Sequence, residues 1–423
     1  MHIITRRQFI AAAGAAPVLS LVGDTSAAAN PSLPRFAVIS DTHFENNRGE
    51  GARVKVPKTL KNLLSKVPQV DAIFIAGDLT NGGKATEYDM LAATFNDKNL
   101  VPKTVAVYYL LGNHDLHDPK GKEYFQDKLK QPFHQYIDIK GYPFITISMN
   151  IADCQSPHSY DHTARQFLAE KMEYAAQKYP GKPIFVFFHM PPQDTCYGSL
   201  GWGTTLFLPT LEKYPQAVVF AGHSHESIAD PRSIFQDKFT SVNDGSVTYG
   251  ALEPAEALDV VKFHPENNEF VTEGLIVGIL PNGNVEIERW DTYRNEEILP
   301  KWTVEAPFDG SRFTYKNRKD TVAPVFPDGA KPKITILEKS IDVTFPQAKD
   351  NDVVHHYLVE ILDGDKVVKT FTKFSQYYLN SDMPKELSVK FAGLTGSLVA
   401  AVTALDSYGN QSEPIKSENF NVL

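Results

Sequence analysis

Short apolar runs that end directly in a polar motif are the feature that most constrains this chain. The clearest run is Val105–Leu111, with six large apolar or aromatic residues around Ala106, and the chain then reads Gly-Asn-His-Asp over 112–115. Such a run predicts a buried β-strand, and a glycine lets the backbone turn sharply where the strand ends. Open α/β sheets gather their chemistry at such strand ends. Taken alone, the motif is equally compatible with an ordinary β-turn, because Gly, Asn and Asp are turn residues.

Four further motifs follow apolar runs in the same way. They are Asp41-Thr42-His43 after Phe36–Ser40, Gly77-Asp78 after Ala72–Ala76, His189 after Pro183–Phe188, and Gly222-His223-Ser224-His225 after Ala217–Ala221. The order along the chain is therefore D-x-H, G-D, G-N-H-D, H and G-H-x-H. One such motif is a weak signal, whereas five in order are specific.

This order resembles the calcineurin-like metallophosphoesterase superfamily over about Phe36 to Trp290. The resemblance implies an α/β fold of two facing mixed β-sheets flanked by helices, with the site at their C-terminal edge. It also implies two divalent metal ions (Mn, Fe or Zn) held by seven side chains. The implied ligands are Asp41, His43, Asp78 and His225 for the first metal, and Asp78, Asn113, His189 and His223 for the second, with Asp78 bridging.

The residue types in these motifs suit the implied chemistry. Carboxylates, imidazoles and an amide favour hard or borderline divalent metals, and the lack of cysteine in the set argues against a structural zinc site. The resemblance implies attack of a metal-bridging hydroxide on phosphorus. It implies that His114 protonates the leaving group and that Asp115 orients His114. For Asp115 a simple turn or capping role remains open.

The residue at position 81 bears on the substrate. Purple acid phosphatases carry a tyrosine three residues after the bridging aspartate, and this chain has Asn81 there. An iron–phenolate colour is therefore not expected, and the segment 77–82 resembles phosphodiesterase branches of the superfamily. We expect a phosphodiester substrate. A phosphomonoesterase with the same site, and a surface binding protein with a vestigial site, are the alternatives.

Charge and the N-terminal segment suggest where the protein works. A net charge of −9 argues against a broad nucleic-acid-binding surface. Arg6 and Arg7 precede the apolar run Phe9–Val22 and small residues up to Ala29, which resembles a twin-arginine signal peptide over 1–29. We therefore expect a periplasmic or secreted protein without a membrane span. Cys154 and Cys196 could pair or remain thiols, and the sequence does not indicate an oligomeric state.

The chain is long enough for two domains. We expect a metallophosphoesterase domain over 34–304, a linker over 305–321 and an all-β sandwich over 322–423. The sandwich resembles a fibronectin type III domain, most closely at Ala401–Ser412, and another kind of sandwich is the alternative. Because every implied ligand lies between Asp41 and His225, removal of Val322–Leu423 should leave the chemistry intact with a small substrate.

Several other segments carry weaker expectations. Apolar spacing predicts a helix over Lys58–Val67, and helices are also expected over Thr86–Phe95 and Thr163–Lys178. The segment Cys196–Phe207 could form a wall over the site or a surface loop. Candidate phosphate contacts, more often solvated surface charges, are Arg48, Arg53 and Lys84.

Overall fold

The computed structural model describes residues 33–45, 51–66, 69–151, 159–252, 264–316, 319–338 and 340–422. Three features singled out above lie outside these ranges: the twin-arginine segment, Arg48 and Cys154. The apolar segment Leu258–Phe263, which predicts a strand, also lies outside them.

Helices and strands follow one another in the described residues between Arg35 and Val304. In chain order they are β1 (Arg35–Ile39), α1 (Ala52–Lys66), β2 (Ala72–Ala76), α2 (Ala85–Asn96), β3 (Ala106–Leu110), α3 (Gly121–Leu129), β4 (His134–Ile139), β5 (Tyr142–Ile147), α4 (His162–Lys178), β6 (Ile184–Phe188), α5 (Ser199–Trp202), α6 (Leu208–Leu211), β7 (Ala217–Ala221), β8 (Ile234–Gln236), β9 (Thr240–Asn243), β10 (Glu273–Ile279), β11 (Val285–Asp291) and β12 (Glu296–Val304). Short 3₁₀ turns cover His114–Leu116, Pro231–Ser233 and Asn268–Phe270.

These strands form two six-stranded mixed sheets, which confirms the expected architecture. The first has the order β12-β11-β10-β1-β2-β3, and the second has the order β4-β5-β6-β7-β9-β8. In the first sheet β1, β2 and β3 are parallel, and in the second β5, β6, β7 and β9 are parallel. Parallel neighbours end at the same edge of a sheet, so the motifs that follow β1, β2 and β3 emerge together, as do those that follow β6 and β7.

A phenylalanine-rich core joins the two sheets. Phe36 of β1 makes edge-to-face contacts with Phe144 and Phe185 of the opposite sheet at centroid distances of 5.1 and 5.0 Å, and Phe74 stacks on Phe187 at 4.1 Å. The outer face of the first sheet packs on α1 to α3, and that of the second packs on α4 and α6. Strands buried on both faces explain the continuous apolar runs in the sequence.

The sequence predicted most central strands and missed elements at the edges. The unpredicted strands are β4, β8, β9 and β12. Of these, β4, β8 and β12 lie at sheet edges, and β9 lies next to β8. The β4 sequence is mostly half-buried, so it has no continuous apolar run. Helix α1 begins at Ala52, six residues before the predicted start.

The C-terminal part is all-β. Its strands are β13 (Lys333–Ile336), β14 (Ser340–Pro346), β15 (Val354–Asp363), β16 (Lys366–Phe374), β17 (Glu386–Ala392), β18 (Gly396–Asp406), β19 (Ile415–Lys416) and β20 (Phe420–Val422), with a 3₁₀ segment over Tyr377–Asp382. One sheet has the order β13-β14-β17, and the other has the order β16-β15-β18-β19 with β20 also paired to β18. Both sheets contribute to one hydrophobic core. Among the described residues no helix is long and apolar enough to cross a membrane.

Four residues of the C-terminal part belong to the core between the two large sheets. They are Phe374, Tyr377, Tyr378 and Leu379, all at least 95 % buried, and they pack into the cluster built on β1, β10 and β11. This arrangement differs from the separable domain expected above. No pattern in the sequence indicated these contacts, because the four side chains share no regular spacing with the strands they pack on.

Candidate active site

Five of the seven candidate ligands have a left-handed backbone. The φ angles are +56° at Asp41, +40° at His43, +48° at Asp78, +69° at His223 and +60° at His225. This region costs a side chain with a Cβ about 1 kcal/mol or more per residue. Strain concentrated in this way occurs at functional sites, where the surrounding packing enforces it.

The structure brings the candidate ligands together in two buried clusters that share Asp78. One contains Asp41, His43, Asp78 and His225, the other contains Asp78, His189 and His223, and in each cluster one potential ligand atom per residue lies within 4.8 Å of the others. These are the groupings that the resemblance implied, apart from Asn113. The Oδ1 atom of Asn113 is buried and has no hydrogen-bond partner among the described residues.

Backbone carbonyls fix the orientation of two imidazoles. Nδ1 of His189 lies 2.8 Å from the carbonyl oxygen of Ala76, and Nδ1 of His225 lies 3.2 Å from that of Tyr249. A carbonyl only accepts, so each Nδ1 carries a proton and donates it. A neutral ring then points the lone pair of Nε2 into the site, the arrangement that metal-ligating histidines adopt.

Those lone pairs face carboxylate oxygens. Nε2 of His225 is 3.1 Å from Oδ1 of Asp41, and Nε2 of His189 is 3.3 Å from Oδ1 of Asp78. A lone pair and a carboxylate repel each other unless a cation or a proton lies between them. The donor set and its geometry therefore fit a divalent metal, and the buried cluster forms a candidate divalent metal site.

The pKa shifts of the clustered side chains also favour a cation at this site. Burial opposes ionisation of Asp41, but the charge and hydrogen bonds of His225 and His43 hold its pKa well below the usual range. The pKa of Asp78 is also lowered, against burial, by His189. Burial would lower the pKa of His189, and the charge and hydrogen bond of Asp78 raise it to about 9 instead. The cluster thus favours a positive charge beside each carboxylate.

His114 lies at the rim of the site. Its ring centroid is 4.6 Å from that of His43, its backbone N–H donates to Oδ1 of Asp78 at 2.9 Å, and its Nδ1 is 3.0 Å from the carbonyl oxygen of Asn81. That carbonyl fixes the ring and leaves Nε2 as the second titrating position. Burial lowers the pKa of His114 despite the opposing charge of Asp78.

Asp115 was expected to orient His114, but its carboxylate binds two neighbouring loops instead. Its carboxylate accepts hydrogen bonds from the backbone of Leu79 at 3.1 Å, Thr80 at 2.8 Å and Gly112 at 2.9 Å, and from the Thr80 hydroxyl at 2.7 Å. Both oxygens are engaged by the loops, and the Asn81 carbonyl holds His114. Asp115 therefore ties the loop after β2 to the loop after β3. Burial and the charge of Asp78 raise its pKa to about 7.

Two positions require glycine because neighbouring atoms leave no room for a Cβ atom. A Cβ at Gly112 would lie 2.1 Å from Oδ1 of Asp78, and one at Gly222 would lie 1.8 Å from Oγ of Ser40 and 2.4 Å from Oδ2 of Asp41. The glycines in these motifs are explained by this crowding as much as by the turns they allow.

Tyr249 is a site residue that sequence reasoning missed. Besides its carbonyl contact, its ring stacks on His225 with the centroids 4.1 Å apart. It lies after β9 in a segment with no motif, so no sequence signal could have found it.

The other expectations have mixed outcomes. Trp202, in the segment expected to form a wall or a loop, approaches His223 with the ring centroids 5.4 Å apart. This contact places the segment beside the site. Cys196 is buried and forms no disulfide with any described residue. Arg53 and Lys84 are exposed.

A cavity of about 700 Å³ opens beside the clusters. His43, Asn81 and His114 line its end near the candidate ligands. A cavity of this size is within the range of small-molecule sites.

Residues 34–227 match the family model of the calcineurin-like phosphoesterases. Over 200 residues the chain is 26% identical to a probable glycerophosphodiester phosphodiesterase GpdQ of Arcobacter nitrofigilis, covering 44% of this chain and 70% of that protein. Over 202 residues it is 29% identical to a probable cyclic nucleotide phosphodiesterase of Ruthia magnifica, covering 45% of this chain and 78% of that protein.

A purple acid phosphatase from yellow lupin is similar in structure, with a TM-score of 0.48 and 13% identity. The match covers 64% of this chain and 54% of the lupin chain, so the present chain spans about half of that protein. Together with the sheets described above, the family match shows that the chain contains a calcineurin-like metallophosphoesterase domain. The protein is a metal-dependent phosphoric ester hydrolase.

Proposed function

We propose that this hydrolase is an exported phosphodiesterase with two divalent metal ions (Mn, Fe or Zn). The observation that carries the proposal is the sharing of Asp78 between two buried clusters. A carboxylate has two oxygens and can therefore contact two cations. In this proposal Asp41, His43, Asp78 and His225 would hold the first ion, and Asp78, Asn113, His189 and His223 would hold the second.

Bound metals would supply Lewis acidity toward the phosphoryl oxygens and would activate water. The chain's own groups hold and orient the ester around that centre. Asn81 and His114 line the end of the cavity near the candidate ligands, so an ester bound there lies against both. When His114 is protonated, its Nε2 donates a proton to the leaving oxygen while Nδ1 stays on the Asn81 carbonyl.

The preference for a diester rests on two supports. Both relatives described above are named phosphodiesterases, and Asn81 replaces the tyrosine of purple acid phosphatases. The twin-arginine motif supports export to the periplasm or beyond. A three-stranded and a five-stranded C-terminal sheet around one hydrophobic core support a fibronectin type III-like domain.

The test compares a phosphodiester and a phosphomonoester that share one aryl leaving group, with Mn, Fe and Zn supplied separately to chelator-treated protein. We expect about two metal ions per chain and a higher kcat/KM for the diester. A preference for the monoester would reverse the assignment to diesters. One metal per chain at full activity would remove the second site.

A further inference from the structure

The cavity beside the candidate site has an aromatic far wall. Phe270 and Tyr293 line it, with their ring centroids 5.6 Å apart and their planes at 58°. Tyr249, stacked on His225, lies on the side nearer the site. Phe270 is 38% exposed, so an apolar ring surface is available to a molecule in the cavity.

The charges along the cavity disfavour a second anionic group. Glu45 and Glu269 contribute carboxylates. Lys55 contributes the one Lys or Arg side chain among the described lining residues. Its ammonium group donates to the backbone carbonyl oxygen of Thr248 and, at 2.5 Å, to that of Glu269. These contacts direct the lysine toward the backbone.

The volume of this cavity also indicates the size of the ligand that it can bind. Cavities of roughly 300–1,000 Å³ bury drug-sized ligands, and this cavity measures about 700 Å³. A glyceryl group is far smaller and has no ring to place against Phe270. Aromatic side chains stack with planar rings at close range.

Resting on the phosphodiesterase function proposed above, we propose that this cavity binds the alcohol half of the diester, and that this half carries a planar, uncharged ring such as a nucleobase. The phosphate lies at the His43 and His114 end, and the ring reaches Phe270. Tyr293 supports Phe270 from the side, and its own ring carries the Lys58 ammonium 3.9 Å from its centroid. The carboxylates of Glu45 and Glu269 accept hydrogen bonds from hydroxyl or amino groups of the nucleoside.

Adenosine is the first probe, because it lacks the phosphate and needs no metal. Its binding to chelator-treated full-length protein is measured by calorimetry for the wild type and for Phe270→Ala. Loss of one stacking partner typically weakens base binding about tenfold. Phe371→Ala is the matched control, because Phe371 is similarly exposed, at 47%, and lies on β16 of the C-terminal part. We expect a tenfold loss in the first variant and no change in the second.

The second measurement uses the metal-loaded enzyme and two methyl phosphodiesters, one of adenosine and one of glycerol. The proposal expects a higher kcat/KM for the adenosine ester and a loss of about tenfold for that ester alone in Phe270→Ala. Equal kcat/KM for both esters, a preference for the glyceryl ester, or adenosine binding that ignores Phe270→Ala would overturn it.

The two proposals fail in different ways. Turnover of both esters at equal kcat/KM would keep the phosphodiesterase and reject the ring-binding cavity. Adenosine binding that depends on Phe270, without turnover of either ester, would keep the cavity as a ring-binding site and reject the phosphodiesterase. A strong preference for a choline ester over both would assign the cavity to a cation instead.

Discussion

Two buried polar clusters of this protein differ in how their charges are matched. At the junction between the two parts of the chain, the Asp230 carboxylate accepts hydrogen bonds from Arg232 at 2.9 and 2.8 Å, from Ser407 at 2.9 Å and from Tyr377 at 3.3 Å. In the candidate metal site, carboxylate oxygens instead face Nε2 atoms of His189 and His225, and a cation or a proton must lie between them. The Asp230 carboxylate is matched by a guanidinium and two hydroxyl donors, whereas Asp41 and Asp78 each accept a backbone N–H and the site fits an added cation.

The contrast separates a structural cluster from a ligand-binding one. Buried charges are stable when partners satisfy them, and the junction achieves this with side chains from both parts of the chain. Tyr197 also belongs to the junction. Its hydroxyl lies 3.2 Å from Nε2 of His355, and its ring centroid lies 4.1 Å from the Arg232 guanidinium carbon. The junction should therefore govern folding, and the site should govern metal binding.

Removal of Val322–Leu423 should have the largest effect and should act on the fold. The chain would lose Phe374, Tyr377, Tyr378 and Leu379 from the core between the large sheets. At about 1.5–3 kcal/mol for each buried side chain, the loss is at least about 6 kcal/mol, comparable with the total stability of many domains. We expect little folded protein in thermal melts and size-exclusion chromatography, contrary to the expectation from ligand positions alone.

The full-length variant Tyr377→Ala with Tyr378→Ala is the companion to this truncation. Neither tyrosine is part of the core of the C-terminal sheets, so we expect a lowered Tm and retained β-sheet structure. A truncated chain with wild-type Tm and activity would show that the junction is dispensable.

The paired variants Asp78→Asn and Asp230→Asn test the contrast directly. Asp78→Asn removes the charge shared by both clusters, so we expect loss of bound metal and of activity. Asp230→Asn leaves Arg232 without its ion pair and should cost about 3 kcal/mol of unfolding free energy, with metal content near the wild-type value. Metal analysis and urea unfolding of both variants give the answer. Two tightly bound metals in Asp78→Asn would refute the bridging role.

The sequence predicted the site far better than the junction, for a physical reason. Parallel strands bring their C-terminal ends to one edge, so short motifs after β1, β2, β3, β6 and β7 had to converge. The junction joins Tyr197, Asp230, His355, Tyr377 and Ser407, which come from unrelated loops and strands with no shared spacing. The stacked Tyr249 and the backbone contacts of Asp115 were missed for the same reason.

His114→Ala should reduce activity in a way that depends on the leaving group. General acid catalysis typically contributes about 10²–10⁴-fold, and an alkoxide needs a proton where a nitrophenolate does not. The variant should lose far more rate with an alkyl ester than with an aryl ester, with unchanged metal content. Because burial lowers the pKa of His114, the wild-type alkyl rate should fall as pH rises through that pKa. Equal losses on both esters would exclude the general-acid role.

The smallest predicted effect concerns the acid sensitivity of His356, whose Nδ1 lies 3.0 Å from Nδ1 of the junction residue His355. Burial, with a contribution from Arg232 and against the charge of Asp406, lowers the pKa of His356 to about 4. Between that value and the ordinary pKa of about 6.5 the unfolded chain binds the proton more strongly, so stability is lost as pH falls. His189 has the opposite effect, because the charge and hydrogen bond of Asp78 raise its pKa to about 9. Its contribution to the free energy of unfolding is full below about pH 6.5 and is lost as the pH rises through 9.

For His356 the loss at about pH 5.5 amounts to about 1.4 kcal/mol. Urea unfolding of chelator-treated protein at pH 7.5 and pH 5.5 measures it, with His356→Gln beside the wild type. The variant should lose about 1.4 kcal/mol less than the wild type between these two pH values, because glutamine cannot take up the proton. His162→Gln, an exposed histidine at the start of α4, is the matched control and should keep the wild-type slope. If both variants keep that slope, His356 is not a source of the acid sensitivity. The residue to replace is then the neighbouring His355, because burial and Arg232 also lower its pKa.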